Sequence, residues 1–477
     1  MSKYLIQTFG CQMNVHDSRR MEEVLSQAGY EAAQTASDAD VIVFNTCSIR
    51  EKAEHKLMSA LGTYRPLKHM RPDLVLAVAG CVAQQESEKL LRKVPYLDVV
   101  LGPDNIPELP ALIEHVRSGG PPVARTVFDN DNPSFLQATP RAARDEVCSF
   151  VTIMKGCDQR CSFCIVPYTR GSERYRSADD IIHEIKHMVE GGIREVTLLG
   201  QTVNSWYEPG TADINSMLAP HQRALDKSSQ FASLLQRISD EVPALSRLRY
   251  TSPHPQHLTD ELLEKHASLE VLASHVHLPV QSGSNRVLKR MIRRYTREHY
   301  IERAKALLQS RKGMTLSTDV IVGFPGESDE DFEQTLDLIK SVGFVSAFAF
   351  KYSPRPFTPS LKLEDDVSEE VKDERLAALL SLVAEQQDAH LESLVGTIQS
   401  VLIEGPSRGV QGRFMGRTER NEIVHVDLAP EQNPVGQLLE VEICQAFKHS
   451  LRAVKRGESL APVPAKNTRR LPLAGVQ

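Results

Sequence analysis

Eight cysteines stand in this chain of 477 residues, and six of them fall into two sets of three. Cys157, Cys161 and Cys164, in KGCDQRCSFCIVPYTRG, have the spacing C-x3-C-x2-C. Three thiolates on so short a loop can wrap one compact iron–sulfur cluster while backbone amides face the sulfides. A zinc knuckle is the other chemistry open to such a loop, but structural zinc takes four protein ligands. No fourth Cys or nearby His stands at ligand spacing, and His183 falls well into the next helical stretch. Three Cys on a four-iron cube leave one iron open to a small molecule, and an open iron points to catalysis.

Cys11, Cys47 and Cys81 are 36 and 34 residues apart, yet each follows an apolar run that reads as a buried strand: 4–9, 41–44 and 74–79. Helix-like stretches follow at 16–29, 49–61 and 84–93. Strand and helix alternation implies a parallel sheet, whose ligands gather beyond the carboxyl ends of the strands. The three thiols are therefore expected along one sheet edge, as ligands of a second cluster. Cys148 and Cys444 have no such company and read as ordinary packed thiols.

These centres need elements to hold them. The first α/β domain is expected over residues 1–118, followed by a Gly- and Pro-rich linker at 119–142. Six further strand candidates, at 149–154, 195–199, 248–252, 275–280, 315–322 and 346–352, alternate with helices capped by Ser177, Thr259, Thr296 and Ser328. They predict a partial (β/α)6 barrel over 143–389, interrupted at 207–229 by an insertion. Short alternating runs after residue 396 predict a small all-β barrel at 392–458, and 459–477 reads as a disordered tail. The whole is an α/β protein with a β-barrel appended.

Charged residues make up 25% and the net charge is −6, which excludes a globally basic nucleic-acid coat. No run approaches the roughly 20 apolar residues of a membrane span, and the N-terminus lacks the plan of a signal peptide. A cytoplasmic location follows as the expectation. In that compartment thiols stay reduced, so the cysteines suggest metal chemistry more than disulfides.

With both triads in view, the sequence resembles the radical S-adenosylmethionine methylthiotransferase family over nearly its whole length. TFGCQMN around Cys11, NTCSIREKAEHK around Cys47, CIVPYTRGSER after Cys164 and TSPHPQHL from Thr251 most resemble the branch that modifies isopentenylated (dimethylallyl) adenosine at tRNA position 37. The resemblance implies two 4Fe–4S clusters and S-adenosylmethionine as cofactors. One S-adenosylmethionine methylates a sulfur at the cluster of Cys11, Cys47 and Cys81. A second is cleaved at the cluster of Cys157, Cys161 and Cys164, and its radical removes hydrogen from carbon 2 of the base, where the methylthio group is placed. An unactivated C–H bond has no useful acidity, so no general-base pair is required.

The resemblance also assigns Gly200 and Gln201, and Ile321, Gly323 and Glu327 in DVIVGFPGE, to S-adenosylmethionine. At Thr202 and Ile292 the family usually has Asn. The C-terminal barrel is expected to be a TRAM domain that binds RNA. Implied partners are the tRNA anticodon stem-loop, an electron donor such as flavodoxin or ferredoxin, and a cluster carrier, with the chain acting as a monomer. The same chemistry on threonylcarbamoyladenosine or on a ribosomal-protein aspartate is the nearest alternative, and a non-catalytic iron–sulfur RNA-binding protein is the alternative of another class.

For RNA contact, 286–312 holds ten Lys and Arg against two Glu. An apolar stripe of Val287, Leu288, Met291, Ile292 and Tyr295 predicts that Arg286, Lys289, Arg290, Arg293, Arg294 and Arg297 face outward, with Arg293 and Arg294 on phosphates. In the barrel, Arg413, Arg417 and Arg420 cluster near Phe414 and are the expected RNA contacts. His254, His257, His275 and His277 read as packed or loop residues.

Overall fold

The apolar runs of the first domain become β1 (Lys3–Phe9), β3 (Val41–Thr46) and β4 (Val75–Gly80). Every residue of β3 and β4 is buried, which is why these runs are continuously apolar rather than alternating. With β2 (Glu31–Ala32), β5 (Val99–Leu101) and β6 (Val123–Arg125) they form a six-stranded sheet, order β2-β1-β3-β4-β5-β6, parallel throughout. Helices α1 (Gln12–Gln27) and α5 (Leu109–Arg117) supply Met21, Leu25, Leu109 and Ile113 to the core on one face. Helices α2 (Glu51–Met70), α3 (Cys81–Glu86) and α4 (Glu88–Lys93) supply Leu57, Leu61, Val82 and Leu90 on the other. The chain leaves β1 and β3 for opposite faces, so a crevice opens between their carboxyl ends.

These are features of a computed structural model that describes residues 1–48, 51–129, 146–211, 230–407, 412–428 and 433–457, apart from the side chains of 51–53. Two expectations change. Strand β6 lies inside the stretch read as linker, because three residues are too few to show a period. The single helix expected after Cys81 breaks in two at Ser87, whose φ of 46° is left-handed. Residues 130–142 of the linker, most of the 207–229 insertion and the tail lie outside the described residues.

The central strands are β7 (Cys148–Thr152), β10 (Glu195–Leu199), β11 (Arg247–Tyr250), β12 (His275–His277), β13 (Thr315–Val322) and β14 (Ser346–Lys351). They pair in parallel as two triplets, β11-β10-β7 and β12-β13-β14. A parallel bridge from Leu248 to Leu272 continues the first triplet toward β12. Capping is as expected: Ser177, Thr259, Thr296 and Ser328 each accept from a backbone N–H in the first turn of the following helix. A hairpin of β8 (Met154–Lys155) and β9 (Arg174–Tyr175) closes the Cys157–Cys164 loop at its base.

The chain divides into two compact units, Met1–Gln387 and Asp388–Gln477. The first contains both α/β domains. In the second, β15 (Ile398–Pro406), β16 (Arg413–Thr418), β17 (Ile423–Asp427), β18 (Leu438–Phe447) and β19 (Ser450–Lys455) close into a barrel. Leu391 and Leu394, at and just past the end of the long helix Glu369–Ser393, belong to its core. Among the described residues no helix is long and apolar enough to cross a membrane.

Candidate metal centres

Cys47 and Cys81 directly follow β3 and β4, and Cys11 follows β1 after Gly10, all at the carboxyl edge of one sheet. Two asparagines knit this edge together. Asn14 accepts from the Cys11 backbone N–H at 3.4 Å and from the Cys11 thiol at 3.3 Å, and its amide donates to Asn45 Oδ1 at 3.1 Å and to the Thr46 carbonyl at 3.3 Å. Asn45 returns a hydrogen bond to the Asn14 carbonyl at 2.7 Å and donates to Ser18 Oγ at 2.9 Å. The turn carrying Cys11 is thereby fastened to the strand carrying Cys47. Such packing leaves no room for a methyl group at two positions. A Cβ on Gly10 would stand 2.8 Å from Cys47 Cβ, and one on Gly80, whose φ is +93°, would stand 2.5 Å from the Thr46 carbonyl.

A hydrogen bond with Cys47, together with the positive charge of Arg170, brings the Cys11 thiol down to about 6 against the opposing effect of burial. Around this edge several buried donors have no protein acceptor among the described residues: Thr46 Oγ1, Ser48 Oγ and Arg170 Nη1. Soft thiol ligands ringed by buried donors suit a group rich in sulfide, which accepts such hydrogen bonds.

The second triad sits on the loop between β8 and α6 (Val166–Arg170). Cys157 and Cys161 are buried, and Cys157 Sγ lies 3.2 Å from Thr202 Oγ1. Burial raises the Cys157 thiol well above its ordinary value and pushes Cys164 up to about 12. Arg293 donates to Cys161 Sγ at 3.4 Å and stacks on Tyr295. No disulfide joins any of the eight cysteines. Among the described residues no group of three His, Cys, Asp or Glu side chains converges as a single-ion site would require.

The segments assigned to S-adenosylmethionine flank this loop. Gly200 and Gln201 follow β10, and Gln201 Oε1 accepts from the Gly156 N–H, next to Cys157, at 2.5 Å. Ile321 and Phe163, which lies between Cys161 and Cys164, both pack against the cluster of Val287, Met291, Phe324 and Tyr352. Glu327 is turned into its own loop: its carboxylate accepts from the N–H groups of Gly323 and Phe324. Burial raises it to about 7, although Arg375 favours the charged form.

Comparison with known proteins agrees with this geometry. Residues 3–102 match the family described as Uncharacterized protein family UPF0004, residues 151–339 the Radical SAM superfamily and residues 392–455 the TRAM domain. A tRNA-2-methylthio-N(6)-dimethylallyladenosine synthase from Sorangium cellulosum is 56% identical over 95% of this chain and 93% of its own length. One from Acidithiobacillus ferrooxidans is 44% identical over 97% of this chain and 98% of its own. The chain belongs to the tRNA-2-methylthio-N(6)-dimethylallyladenosine synthase family. Among solved structures, the radical S-adenosylmethionine methyltransferase TsrM from Kitasatospora setae matches with a TM-score of 0.52 and 12% identity, covering 81% of this chain and 89% of that one. That likeness is one of fold.

As a member of this synthase family the chain is a radical S-adenosylmethionine enzyme with a TRAM domain. Of the charge run at 286–312, Arg286, Lys289 and Arg294 are exposed as expected, whereas Arg290, Arg293 and Arg297 are partly buried. Arg293 points inward to Cys161, and Arg286, Arg290 and Arg297 bind carbonyl groups of the loop 325–326 and of Gly283 and Gln334. Arg294 is exposed, and so is Ile292, which was expected in the apolar stripe. A φ of 56° at Ile292 turns the helix end left-handed and breaks the stripe; Asn enters that region more readily than Ile. In the barrel, Arg413 pairs with Asp427, Arg417 with Glu404 and Arg420 with Glu422. His254 and His257 are buried, while His275 and His277 bond Ser317.

Asn14, Asn45, Arg170 and Asp17 went unread in the sequence although three of them lie inside the quoted motifs. Their only signal was position within six residues of a Cys.

Proposed function

We propose that this chain methylthiolates carbon 2 of N6-dimethylallyladenosine at position 37 of tRNA. Cys157, Cys161 and Cys164 hold one 4Fe–4S cluster, and Cys11, Cys47 and Cys81 hold a second. Bound there, the clusters supply the electron that cleaves S-adenosylmethionine and the sulfur that is methylated and transferred. Gly200, Gln201, Ile321, Gly323 and Glu327 line the S-adenosylmethionine side. Arg294 and the barrel residues Arg413, Arg417 and Arg420 meet RNA phosphates or bases. Because the target base lies in a single-stranded loop, its carbon 2 edge reaches a pocket without opening paired bases.

The observation that carries this reading is the presence, in one compact unit, of two three-cysteine sets at strand carboxyl ends, joined by the short segment from Cys164 to Arg170. We further propose that residues 1–118, 143–389 and 392–458 are the cluster, radical and RNA-binding domains. The chain acts as a cytoplasmic monomer served by a flavodoxin- or ferredoxin-like donor and a cluster carrier.

Anaerobic reconstitution should give about eight irons per chain, two clusters of four. Replacing Cys157, Cys161 and Cys164 by Ala should halve the iron and abolish S-adenosylmethionine cleavage. Replacing Cys11, Cys47 and Cys81 should halve the iron, keep cleavage and stop methylthio transfer to an anticodon stem-loop carrying dimethylallyladenosine. Loss of cleavage in the second variant, with the fold intact, overturns the division of labour. Preference for a threonylcarbamoyladenosine stem-loop overturns the substrate.

A further inference from the structure

Arg170 lies six residues after Cys164, at the end of the helix that follows the radical triad, yet its side chain is buried in the N-terminal domain. Its three nitrogens have three different situations. Nη2 donates to Asp17 Oδ2 at 2.6 Å, and Nε donates to Cys81 Sγ at 3.3 Å. Nη1 is buried with no acceptor among the described residues. A buried guanidinium N–H without an acceptor is costly, so its retention here points to an acceptor that the protein atoms do not supply. Asp17 fixes the plane of the fork from α1, the helix whose N-cap is Cys11, and so aims the other two nitrogens at the cysteine edge.

We propose that Arg170 is a positioning residue for the auxiliary centre, reaching across from the radical domain to donate N–H···S hydrogen bonds to Cys81 and to a sulfide of the cluster held by Cys11, Cys47 and Cys81. The inference rests on the ligand assignment above. Its physical consequence is a shift in reduction potential. Adding an electron makes the cluster sulfurs more negative, and a positive N–H donor stabilises that reduced state, so Arg170 raises the potential. The helix that carries Arg170 begins two residues after Cys164.

The test uses the full chain with Cys157, Cys161 and Cys164 replaced by Ala, so that only the auxiliary cluster reports. Iron content and an EPR-monitored redox titration are measured for this background and for Arg170→Gln, Arg170→Lys, Asp17→Asn and the Arg170→Gln/Asp17→Asn pair. Arg170→Gln should keep about four irons and shift the midpoint to more negative potential. Arg170→Lys, which keeps the charge and the fold but lacks a fork able to serve Asp17 and sulfur together, should shift it less in the same direction. Removing Arg170 also uncovers the Asp17 charge. The double variant eliminates that contribution and should still titrate at more negative potential than Asp17→Asn alone. Midpoints unchanged in Arg170→Lys and in the double variant relative to Asp17→Asn, at full iron, overturn the proposal. If Arg170→Gln takes up no iron, the Lys variant decides. Failure of the background itself to bind iron overturns the ligand assignment instead.

Discussion

The auxiliary edge is built from residues too small or too polar to be explained by packing alone. Gly80 ends β4 with a φ of +93°, and a side chain there would strike the Thr46 carbonyl and Asn45 Oδ1, each at 2.5 Å. Neither atom can give way: one is backbone in a buried strand, and the other is fixed by Asn14. Gly80→Ala should therefore destabilise the N-terminal sheet by roughly 2–4 kcal/mol, combining left-handed strain with overpacking. The damage should fall on one centre. Iron should drop from about eight toward four while S-adenosylmethionine cleavage continues, because the radical loop is closed by a separate hairpin. Iron analysis with a thermal melt checks this, and retention of both clusters at wild-type stability counts against the described packing. Asn14→Ala should act the same way through lost hydrogen bonds rather than strain.

At the scale of elements, the last turn of the helix Glu369–Ser393, which belongs to the second unit, is tied to the barrel by a carboxylate. Burial opposes charge on Glu422, yet hydrogen bonds from His390 and Thr418 and the charge of Arg420 hold it down to about 2. His390 Nε2 lies 2.7 Å from Glu422 Oε1, and Glu422 sits in the turn between β16 and β17. A carboxyl group in the unfolded chain titrates near 4.3, so the folded state prefers the ionised form. The stability this provides, on the order of 3 kcal/mol, is fully present above about pH 5 and is lost as pH falls toward 2. Hydrogen exchange in β15–β19 should accelerate across that window relative to Glu422→Gln at matched pH, and the variant should be less protected at pH 7. Equal protection at pH 7 would remove Glu422 from this role. Elements were also the scale at which the sequence was most legible. Long apolar runs with a Cys at their end revealed β1, β3 and β4, whereas β2, β5 and β6 are two or three residues long and carry no period. The charge run at 286–312 was right for exposed Arg286, Lys289 and Arg294 and misled at Arg293, because composition does not say which way a side chain turns. Arg293 follows the left-handed Ile292, which rotates it inward to Cys161.

For the whole molecule, the question is what the barrel adds to a unit that already holds both cysteine sets. Its core takes in Leu391 and Leu394, so a cut at residue 396 would strip a finished barrel while leaving two apolar side chains behind. Truncation after Gln387 follows the division between the two units. The barrel arginines are engaged with acidic partners in the free protein: Arg413 and Arg452 with Asp427, Arg417 with Glu404 and Arg420 with Glu422. Phosphates must compete with these carboxylates, so each contact is worth less than a free arginine would give, and affinity comes from several acting together. Removing residues 388–477 should raise the tRNA Kd by about tenfold or more and make the dependence of log Kd on log salt shallower, since fewer counterions are displaced. Cleavage of S-adenosylmethionine without RNA should continue at the wild-type rate, because none of the six candidate ligands lies beyond Cys164. Filter binding across a salt series, run beside the cleavage assay, separates the outcomes. An unchanged Kd would move RNA recognition to the first unit, where exposed Arg294 is the place to look.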